Sequence, residues 1–265
     1  MNFTLPDYIS NSQLNAFRRS PAHWKHYVTA KKEPTEAMIR GSYAHCIALK
    51  QPQDRFFILK EEERPQPEMT FGSKLNKAWL AEINATAEAQ KKQVVDAKII
   101  TDVDKMVDAL YSDSEARKFL AGEYEAKLNW SCLGLNFYGI RDISSDTYIV
   151  DLKFVQSADP RDFRRYLFRE GLYRQGGMYL DGEMKGEFTG DPHKRIIFIA
   201  VEQTPPYGVS VNELDLETIM YGVNEYRMLA GNLKSCIDAE HFPSYSYRNI
   251  NGSFDITLPM YHESE

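Results

Sequence analysis

The chain has 265 residues, of which 43% are hydrophobic, and a formal net charge of −6 at pH 7. Its acidic balance excludes a broadly basic nucleic-acid-binding surface, so any contact with nucleic acid has to come from local basic patches or a bound cation. Three scattered cysteines exclude a disulfide framework and predict a reducing compartment. The sequence contains no secretory signal and no apolar run long enough to span a membrane, so we expect a cytoplasmic protein without membrane attachment.

The first half of the chain has the periodicity of helices. Apolar residues at helical spacing, and the polar, proline-containing composition of one segment, divide it into helices and a loop. Helices are predicted over residues 8–32, which Pro21 divides, and over 36–50, 74–92 and 102–121, with a loop over 60–74. Since no segment reads as a linker, we expect a single domain over residues 1–265.

From Glu123 the pattern changes to a period of two, which is typical of β-strands. Strands over 124–131, 134–141 and 147–154 are predicted to form an antiparallel meander. A long helix over 160–182 follows, with Pro160 at its first position. Strands over 195–201 and 207–214 and a helix over 215–240 complete the chain, and the continuously apolar first strand suits burial on both faces.

Charged residues converge on the third strand of the predicted meander. Strand side chains alternate between faces, so Asp151 and Lys153 point the same way and Leu152 points to the other side. The turn brings Asp142 back beside them. Charged groups within an apolar sheet are costly unless a metal or a substrate compensates them. The alternative is an ordinary solvated strand, because Asp-x-Lys is a common sequence.

Four further residues can join this group: His45 on the 36–50 helix, Glu125 on the first meander strand, and Gln175 and Tyr179, which share a face of the long helix. Together they suit phosphodiester hydrolysis with a hard divalent cation, because oxygen ligands and one imidazole fit Mg²⁺. Lys153 would orient or deprotonate a water, or stabilise charge on the phosphate. Taken singly, His45 is more often a hydrogen-bonded core histidine, and the other three can be ordinary surface residues.

The chain resembles the PD-(D/E)XK nuclease superfamily, and more closely its RecE-type (exonuclease VIII) and RecB-like branch, in the order His45, Glu125, Asp142, Asp151-Leu152-Lys153 and Gln175-x-x-x-Tyr179. The segment YISNSQLNAFRRSPAHW is similar to the opening serine-rich helix of that family, and Arg40 to Leu49 resembles its Gly-x-x-x-His helix. Three positions depart from the family pattern. Ile140-Arg141-Asp142 stands where Arg-Pro-Asp is common, and Phe154 stands where threonine is common.

The resemblance implies an α/β (mixed α+β) fold with a restriction-endonuclease-like core, in which helices flank a central mixed sheet with an antiparallel meander. It implies that His45, Asp142 and Asp151 ligate Mg²⁺, for which Mn²⁺ can substitute, and that the carbonyl of Leu152 completes the shell. Glu125 would hold a second metal or a metal-bound water. Lys153 would be the catalytic lysine, with Gln175 and Tyr179 orienting that lysine, the water or the phosphate.

The same resemblance implies a Mg²⁺-dependent exodeoxyribonuclease that degrades linear double-stranded DNA from an end, 5′ to 3′, and exposes single strand for annealing-type recombination. Its expected partners are DNA ends, a single-strand annealing protein of the RecT type and further copies of the chain in a ring. The alternatives are a non-catalytic DNA-end-binding or assembly module of the same fold, a Cas4-like nuclease, and a scaffold whose charged strand is only a surface.

Two sets of arginines are candidate DNA contacts. Arg161, Arg165 and Arg169 lie at i, i+4 spacing on the predicted long helix and could follow a phosphate backbone. The alternative is a solvated helix face in which these arginines pair with neighbouring carboxylates. Arg40 lies about one turn before His45 and is a candidate for binding a phosphate or a DNA end.

Overall fold

The structure is a computed structural model that describes residues 5–30 and 33–245. Its helices and strands follow one another as α1 (Asn11–Arg19), α2 (Pro21–Thr29), α3 (Glu36–Ala48), β1 (Phe56–Ile58), α4 (Lys74–Ala89), β2 (Gln93–Val95), α5 (Ala97–Ser112), β3 (Glu123–Cys132), β4 (Leu135–Ser144), β5 (Tyr148–Val155), α6 (Pro160–Glu170), α7 (Leu172–Glu183), β6 (Arg195–Glu202), β7 (Val209–Glu213) and α8 (Leu216–Asp238). The ends of the single domain expected over residues 1–265 lie outside the described residues.

A five-stranded sheet in the order β3-β4-β5-β6-β7 forms the centre of the fold. Strands β5 and β6 are parallel, and the other neighbours are antiparallel. The predicted mixed sheet with an antiparallel meander is therefore confirmed. Strands β1 and β2, of three residues each, form a separate parallel pair. Segments this short do not show a strand pattern, and the sequence did not predict them.

Both faces of the sheet are covered by helices. One face packs against α1, α6, α7 and α8 and forms what we call the α7–α8 core. The other face packs against α3 and α5 and forms the α3–α5 core. Strand β6 contributes Ile196 and Phe198 to the first core, and Ile197 and Ile199 to the second. The predicted burial of this strand on both faces is confirmed.

The predicted long helix over 160–182 is two helices. Gly171 separates them in the left-handed conformation, with φ of 66°. It ends α6 and begins α7, as glycine commonly does just after a helix. A β-carbon at this position would lie 2.4 Å from Nη2 of Arg174. The prediction of one continuous helix was wrong because this glycine redirects the chain.

The helix predicted over 102–121 is also displaced. Helix α5 begins at Ala97, because the carboxylate of Asp96 accepts a hydrogen bond from the Ile99 N–H at 2.8 Å and caps the helix. It ends at Ser112, and a short 3-10 turn follows over Ala116–Phe119. The predicted loop over 60–74 contains one 3-10 turn, over Glu61–Glu63. No helix in residues 5–30 and 33–245 has both the length and the apolar character needed to cross a bilayer.

Candidate active site

The site lies where β4 and β5 separate. These strands pair only at Ile143↔Val150 and Ser144↔Ile149. On the N-terminal side of Ile143, β4 diverges from β5. There Ile9 forms a β-bridge with Phe137 of β4. We call this opening between β4 and β5 the fork.

The two-stranded ribbon formed by β3 and β4 changes, beside the fork, which of its faces packs on which core. Tyr124 and Ile143 pack on the α3–α5 core, whereas Leu128 and Phe137 pack on the α7–α8 core, although strand residues of equal parity normally share a face. The change occurs at Glu125, whose φ of 50° lies in the left-handed region. This conformation is costly for glutamate and is typical of functional sites.

Two carboxylates occupy the mouth of the fork. Asp142 immediately precedes the Ile143↔Val150 pair on β4, and Asp151 immediately follows it on β5. The side chains of Asp142 and Asp151 are 14% and 5% exposed. The Oδ2 atom of Asp142 accepts a hydrogen bond from the Leu152 N–H at 2.6 Å. The predicted convergence of these carboxylates across the turn is confirmed.

Lys153 supplies the counter-charge. Its ammonium forms an ion pair with Oδ2 of Asp151, while the side chain of Leu152 is buried in the α3–α5 core on the other side of the sheet. The predicted alternation along β5 is therefore confirmed. Because Asp151 and Lys153 are largely buried, a solvated surface strand does not describe them.

His45 approaches the fork from α3. Its Nδ1 lies 3.6 Å from Oδ2 of Asp142, and its ring meets Phe154 edge to face at a centroid distance of 5.2 Å. Burial, followed by the charge of Lys153, lowers the pKa of His45 to about 4. The imidazole is therefore neutral at neutral pH and has a lone pair available for a ligand.

Helix α7 approaches from the opposite face and carries Gln175 and Tyr179. Gln175 donates a hydrogen bond from Nε2 to Oδ1 of Asp151 at 2.9 Å and another to the Tyr179 hydroxyl at 2.6 Å. The Tyr179 hydroxyl donates to the carbonyl of Ile140 at 2.6 Å. The face that these residues share on α7 is thus directed at the carboxylates.

Burial dominates the electrostatics of the fork. It raises the pKa of Asp142 to about 6, against the opposing effects of Lys153 and the Leu152 N–H. It also raises the pKa of Asp151, to which the Asp142 charge contributes. Burial alone would lower the pKa of Lys153, yet the neighbouring carboxylates raise it overall. Lys153 is therefore protonated at neutral pH, and its single positive charge does not balance the negative charges of the two carboxylates.

Glu125 contributes to the same field. Its negative charge raises the pKa of both His45 and Asp142, which places its side chain within electrostatic range of the fork. The predicted group of His45, Glu125, Asp142, Asp151, Lys153, Gln175 and Tyr179 is thus brought together from α3, β3, β4, β5 and α7.

The donors suit a hard divalent cation, since two buried carboxylates and a neutral imidazole are ligands that Mg²⁺ or Mn²⁺ accepts. Among the described residues, however, no three His, Cys, Asp or Glu side chains are already arranged to hold a metal ion. Lys153 occupies Oδ2 of Asp151, and the Leu152 N–H occupies Oδ2 of Asp142. The ion pair of Lys153 with Asp151 competes with a metal for that carboxylate, whereas Oδ1 of Asp142 is not engaged by the Leu152 N–H.

The candidate DNA-binding arginines lie outside this group. Arg40 contacts Glu36 at 2.6 Å and Asp102 at 3.8 Å, so it faces α5. The three arginines of α6 are 71–85% exposed and pair with carboxylates on or just before their own helix, as Arg161–Asp159, Arg165–Asp162 and Arg169–Glu170.

Two contributors were not predicted. A β-carbon on Gly139 would lie 2.7 Å from Cε1 of Tyr179, so this glycine lets the tyrosine ring approach β4. A glycine inside a strand can signal such an approach. Burial raises the pKa of Tyr166 on α6 against the opposing charge of Lys153, so this tyrosine lies within electrostatic range of the fork. The pattern of α6 gave no signal for it.

A cavity of about 170 Å³ adjoins the fork. It is lined by the first residues of α1 with their cap, by Trp130 and the middle of β4, and by α7, as Ser10, Asn11, Ser12, Trp130, Tyr138, Gly139, Ile140, Gln175, Met178 and Tyr179.

Comparison with known proteins places this fold among PDDEXK-like domains. Residues 10–249 match the model of a family described as a PDDEXK-like domain of unknown function, DUF3799. No curated protein matches the chain significantly. A crystal structure from Eubacterium rectale, described as a "Putative exonuclease", is similar with a TM-score of 0.62 and 13% sequence identity over 96% of this chain and 91% of that one. The structure of SSO0001 aligns over 71% of this chain and 85% of that one, at 14% identity and a TM-score of only 0.27.

Proposed function

The chain belongs to the PDDEXK-like family DUF3799, and from this premise we propose that it is a Mg²⁺-dependent exodeoxyribonuclease that degrades linear double-stranded DNA from an end. The observation that carries the proposal is the convergence of Asp142, Asp151 and Lys153 at the fork, with Gln175 bonded to Asp151. The similar structure described as a "Putative exonuclease" has the same fold and supports the choice of an exonuclease.

The ligands for the metal are His45, Asp142, Asp151 and the carbonyl of Leu152. Held by these residues, Mg²⁺ would supply Lewis-acid chemistry, by polarising the scissile phosphate, acidifying a water and neutralising developing charge. The buried carboxylates favour its binding, because a cation relieves the unfavourable burial that raises their pKa. Mn²⁺ substitutes for Mg²⁺, since it accepts the same ligands.

Lys153 acts as a charge stabiliser. Although burial lowers its pKa, the neighbouring carboxylates raise it overall, and the ammonium would donate hydrogen bonds to a phosphate oxygen. Gln175 and Tyr179 hold Asp151 from the α7 side. Glu125 lies within electrostatic range of His45 and Asp142. It holds a second metal or a water bound to one.

Two alternative functions are less well supported. A non-catalytic DNA-end-binding module would not need the carboxylates and the lysine of the fork together, and all of them are present. A Cas4-like nuclease would carry four cysteines for an iron–sulfur cluster. Here Cys46, Cys132 and Cys236 lie on α3, β3 and α8.

The partners follow from the resemblance to RecE-type nucleases. We propose that the enzyme works 5′ to 3′, as a ring of identical subunits around DNA in the cytoplasm. A ring that encloses its substrate stays on it without a strongly basic surface, which suits a chain of net charge −6. The single strand that it exposes is passed to an annealing protein of the RecT type in recombination.

The test compares linear duplex with covalently closed circular duplex of the same sequence, with Mg²⁺, with Mn²⁺ and with EDTA. Duplexes labelled at the 5′ or the 3′ end report the polarity. We expect digestion of the linear form only, with early release of the 5′ label, and none in EDTA. Cutting of closed circles would make the enzyme an endonuclease. Binding of ends without cutting would favour the non-catalytic module.

A further inference from the structure

One face of α7 carries three polar residues, and only two of them reach the fork. Gln175, Tyr179 and Glu183 are spaced i, i+4 and i+8, so they share a face. Gln175 and Tyr179 contact Asp151 and the carbonyl of Ile140. Glu183, one turn further along α7, forms an ion pair with Arg141, which is the residue before Asp142. The same helix face is thus bonded to β4 next to a predicted metal ligand.

The Arg141–Glu183 pair is enclosed. The two side chains are 10% and 12% exposed. Glu183 also accepts from Lys194 at 2.8 Å and contacts His193 Nε2 at 2.7 Å, both from the segment before β6. A carboxylate held by donors from both sides is fixed in place, because each contact restricts a different direction of movement.

Elsewhere α7 meets the ribbon through one hydrogen bond, from the Tyr179 hydroxyl to the Ile140 carbonyl, and through apolar packing at two glycines. Gly182 packs against Leu128 and Trp130, where a β-carbon would lie 2.8 Å from both side chains, and Tyr179 packs on Gly139. These contacts set how closely α7 approaches the strands. Apolar contact is non-directional, so it does not by itself select the position at which the Gln175 amide lies 2.9 Å from Asp151.

We propose that Arg141 and Glu183 are a positioning pair, which fixes α7 along β4 so that Gln175 and Tyr179 hold Asp151 in the geometry required for catalysis. This role rests on the proposed nuclease function. Arg141 stands at the position where the resembling family commonly has proline, which has no side-chain donor for such a pair. Neither residue touches the reacting atoms, so both act through Gln175 and Tyr179.

The kinetic test uses Arg141→Met, Glu183→Gln and the conservative variant Arg141→Lys. Because a misplacement of about 1 Å can cost about a hundredfold, we expect Arg141→Met and Glu183→Gln to lower kcat about tenfold to a hundredfold and to change KM less than about threefold. Arg141→Lys keeps much of kcat, since it keeps a positive charge beside Glu183. A purely stabilising pair would leave kcat of the folded fraction unchanged.

Lys194→Met is the matched control, because it removes a donor from the same carboxylate and keeps the bond to β4. We expect it to change kcat less than about threefold, since the ion pair between Arg141 and Glu183 that links α7 to β4 stays in place. Equal losses in Lys194→Met and Arg141→Met would overturn the proposal, because any disturbance of Glu183 would then have the same effect.

A crystal structure of Arg141→Met, without DNA, separates this proposal from the proposed function. We expect the distance from Gln175 Nε2 to Asp151 Oδ1 to exceed hydrogen-bond length in the variant. If wild type proved inactive on DNA, the proposed function would fail, and this distance would still decide whether the pair positions α7. An unchanged distance would overturn the positioning role, whatever the activity of wild type.

Discussion

Asp142 on β4 and Asp151 on β5 both lie next to Ile143↔Val150, the last backbone pair before the two strands separate at the fork. The sheet therefore brings two acidic side chains together at the point where its own hydrogen bonding stops. Burial raises the pKa of both, and Lys153 compensates part of their charge. A folded chain that keeps such a costly group at a strand junction has the arrangement expected of a functional site.

Metal binding is expected to stabilise the folded protein. A ligand that binds only the native state raises its unfolding temperature with increasing concentration. We expect Mg²⁺ to raise the Tm of wild type, but not that of Asp142→Asn or Asp151→Asn. Asp146→Asn is the matched control, because Asp146 is exposed in the turn between the same two strands, and it should respond to Mg²⁺ like wild type. A Tm increase of equal size in all four proteins would place the metal elsewhere.

The pH dependence of stability separates Asp142 from His45. The pKa of Asp142 rises from 3.8 to about 6 on folding, so the native state binds more protons than the unfolded state in that window. The contribution of Asp142 therefore destabilises the protein as pH rises from about 4 to 6. The pKa of His45 falls from 6.5 to about 4, so its contribution destabilises the protein as pH falls through the same window. The two contributions oppose each other.

We therefore expect Asp142→Asn to lose stability as pH falls from 6.5 to 4 more steeply than wild type, and His45→Gln to lose less than wild type. Each difference is on the order of 2–3 kcal/mol at most, since one pKa unit corresponds to about 1.4 kcal/mol. Urea unfolding in EDTA at several pH values measures these differences in the free energy of unfolding. Identical pH profiles for wild type and both variants would contradict the burial of these groups.

Gly139 is expected to be intolerant of a methyl group. In Gly139→Ala the new β-carbon would lie 2.7 Å from the Tyr179 ring, so the ring and the hydroxyl bonded to Ile140 have to move. We expect a loss of about 1–3 kcal/mol in the free energy of unfolding, as for overpacked cores, and a lower kcat. Gly41→Ala is the control for stability, because a β-carbon on Gly41 in α3 meets nothing closer than 4.0 Å. That change should be neutral or stabilising.

The arginines of α6 are expected to affect DNA affinity and its salt dependence. Their guanidinium groups are 71–85% exposed and pair only with nearby carboxylates, so DNA phosphates can displace these partners. Replacing Arg161, Arg165 and Arg169 by glutamine should weaken binding and reduce the salt slope by about one for each lost phosphate contact. Arg195→Gln is the control, because Arg195 lies on β6 and pairs with Glu213 on β7. An unchanged salt slope would identify the α6 arginines as a solvated helix face.

Much of the fork could be predicted from the sequence, because its central part is local. The alternation Asp151-Leu152-Lys153 depends on strand period alone, and Asp142 is joined to it by a short turn. The spacing of Gln175 and Tyr179 depends on one helix. These features are set by neighbours in the chain, so the residue pattern shows them directly.

What could not be predicted depends on distant partners. Arg40 was a DNA-binding candidate from its distance to His45, but the structure pairs it with Glu36 and Asp102, and only the packing of α3 on α5 brings Asp102 there. Arg141 had no visible partner until α7 placed Glu183 beside it. The break at Gly171 had a local signal, a glycine after Arg169 and Glu170, which is common at a helix end, but the apolar spacing continued across it.

The central claim is that the fork cuts DNA. The most direct measurement is Mg²⁺-dependent release of nucleotides from linear duplex by wild type, Lys153→Met and Asp151→Asn, with Asp146→Asn as the control and with DNA affinity measured alongside. We expect both fork variants to lose at least about a hundredfold in kcat, as for removal of a group that stabilises transition-state charge, while Asp146→Asn stays at the wild-type level and all four proteins bind DNA. Undiminished activity in Lys153→Met or Asp151→Asn would contradict this account.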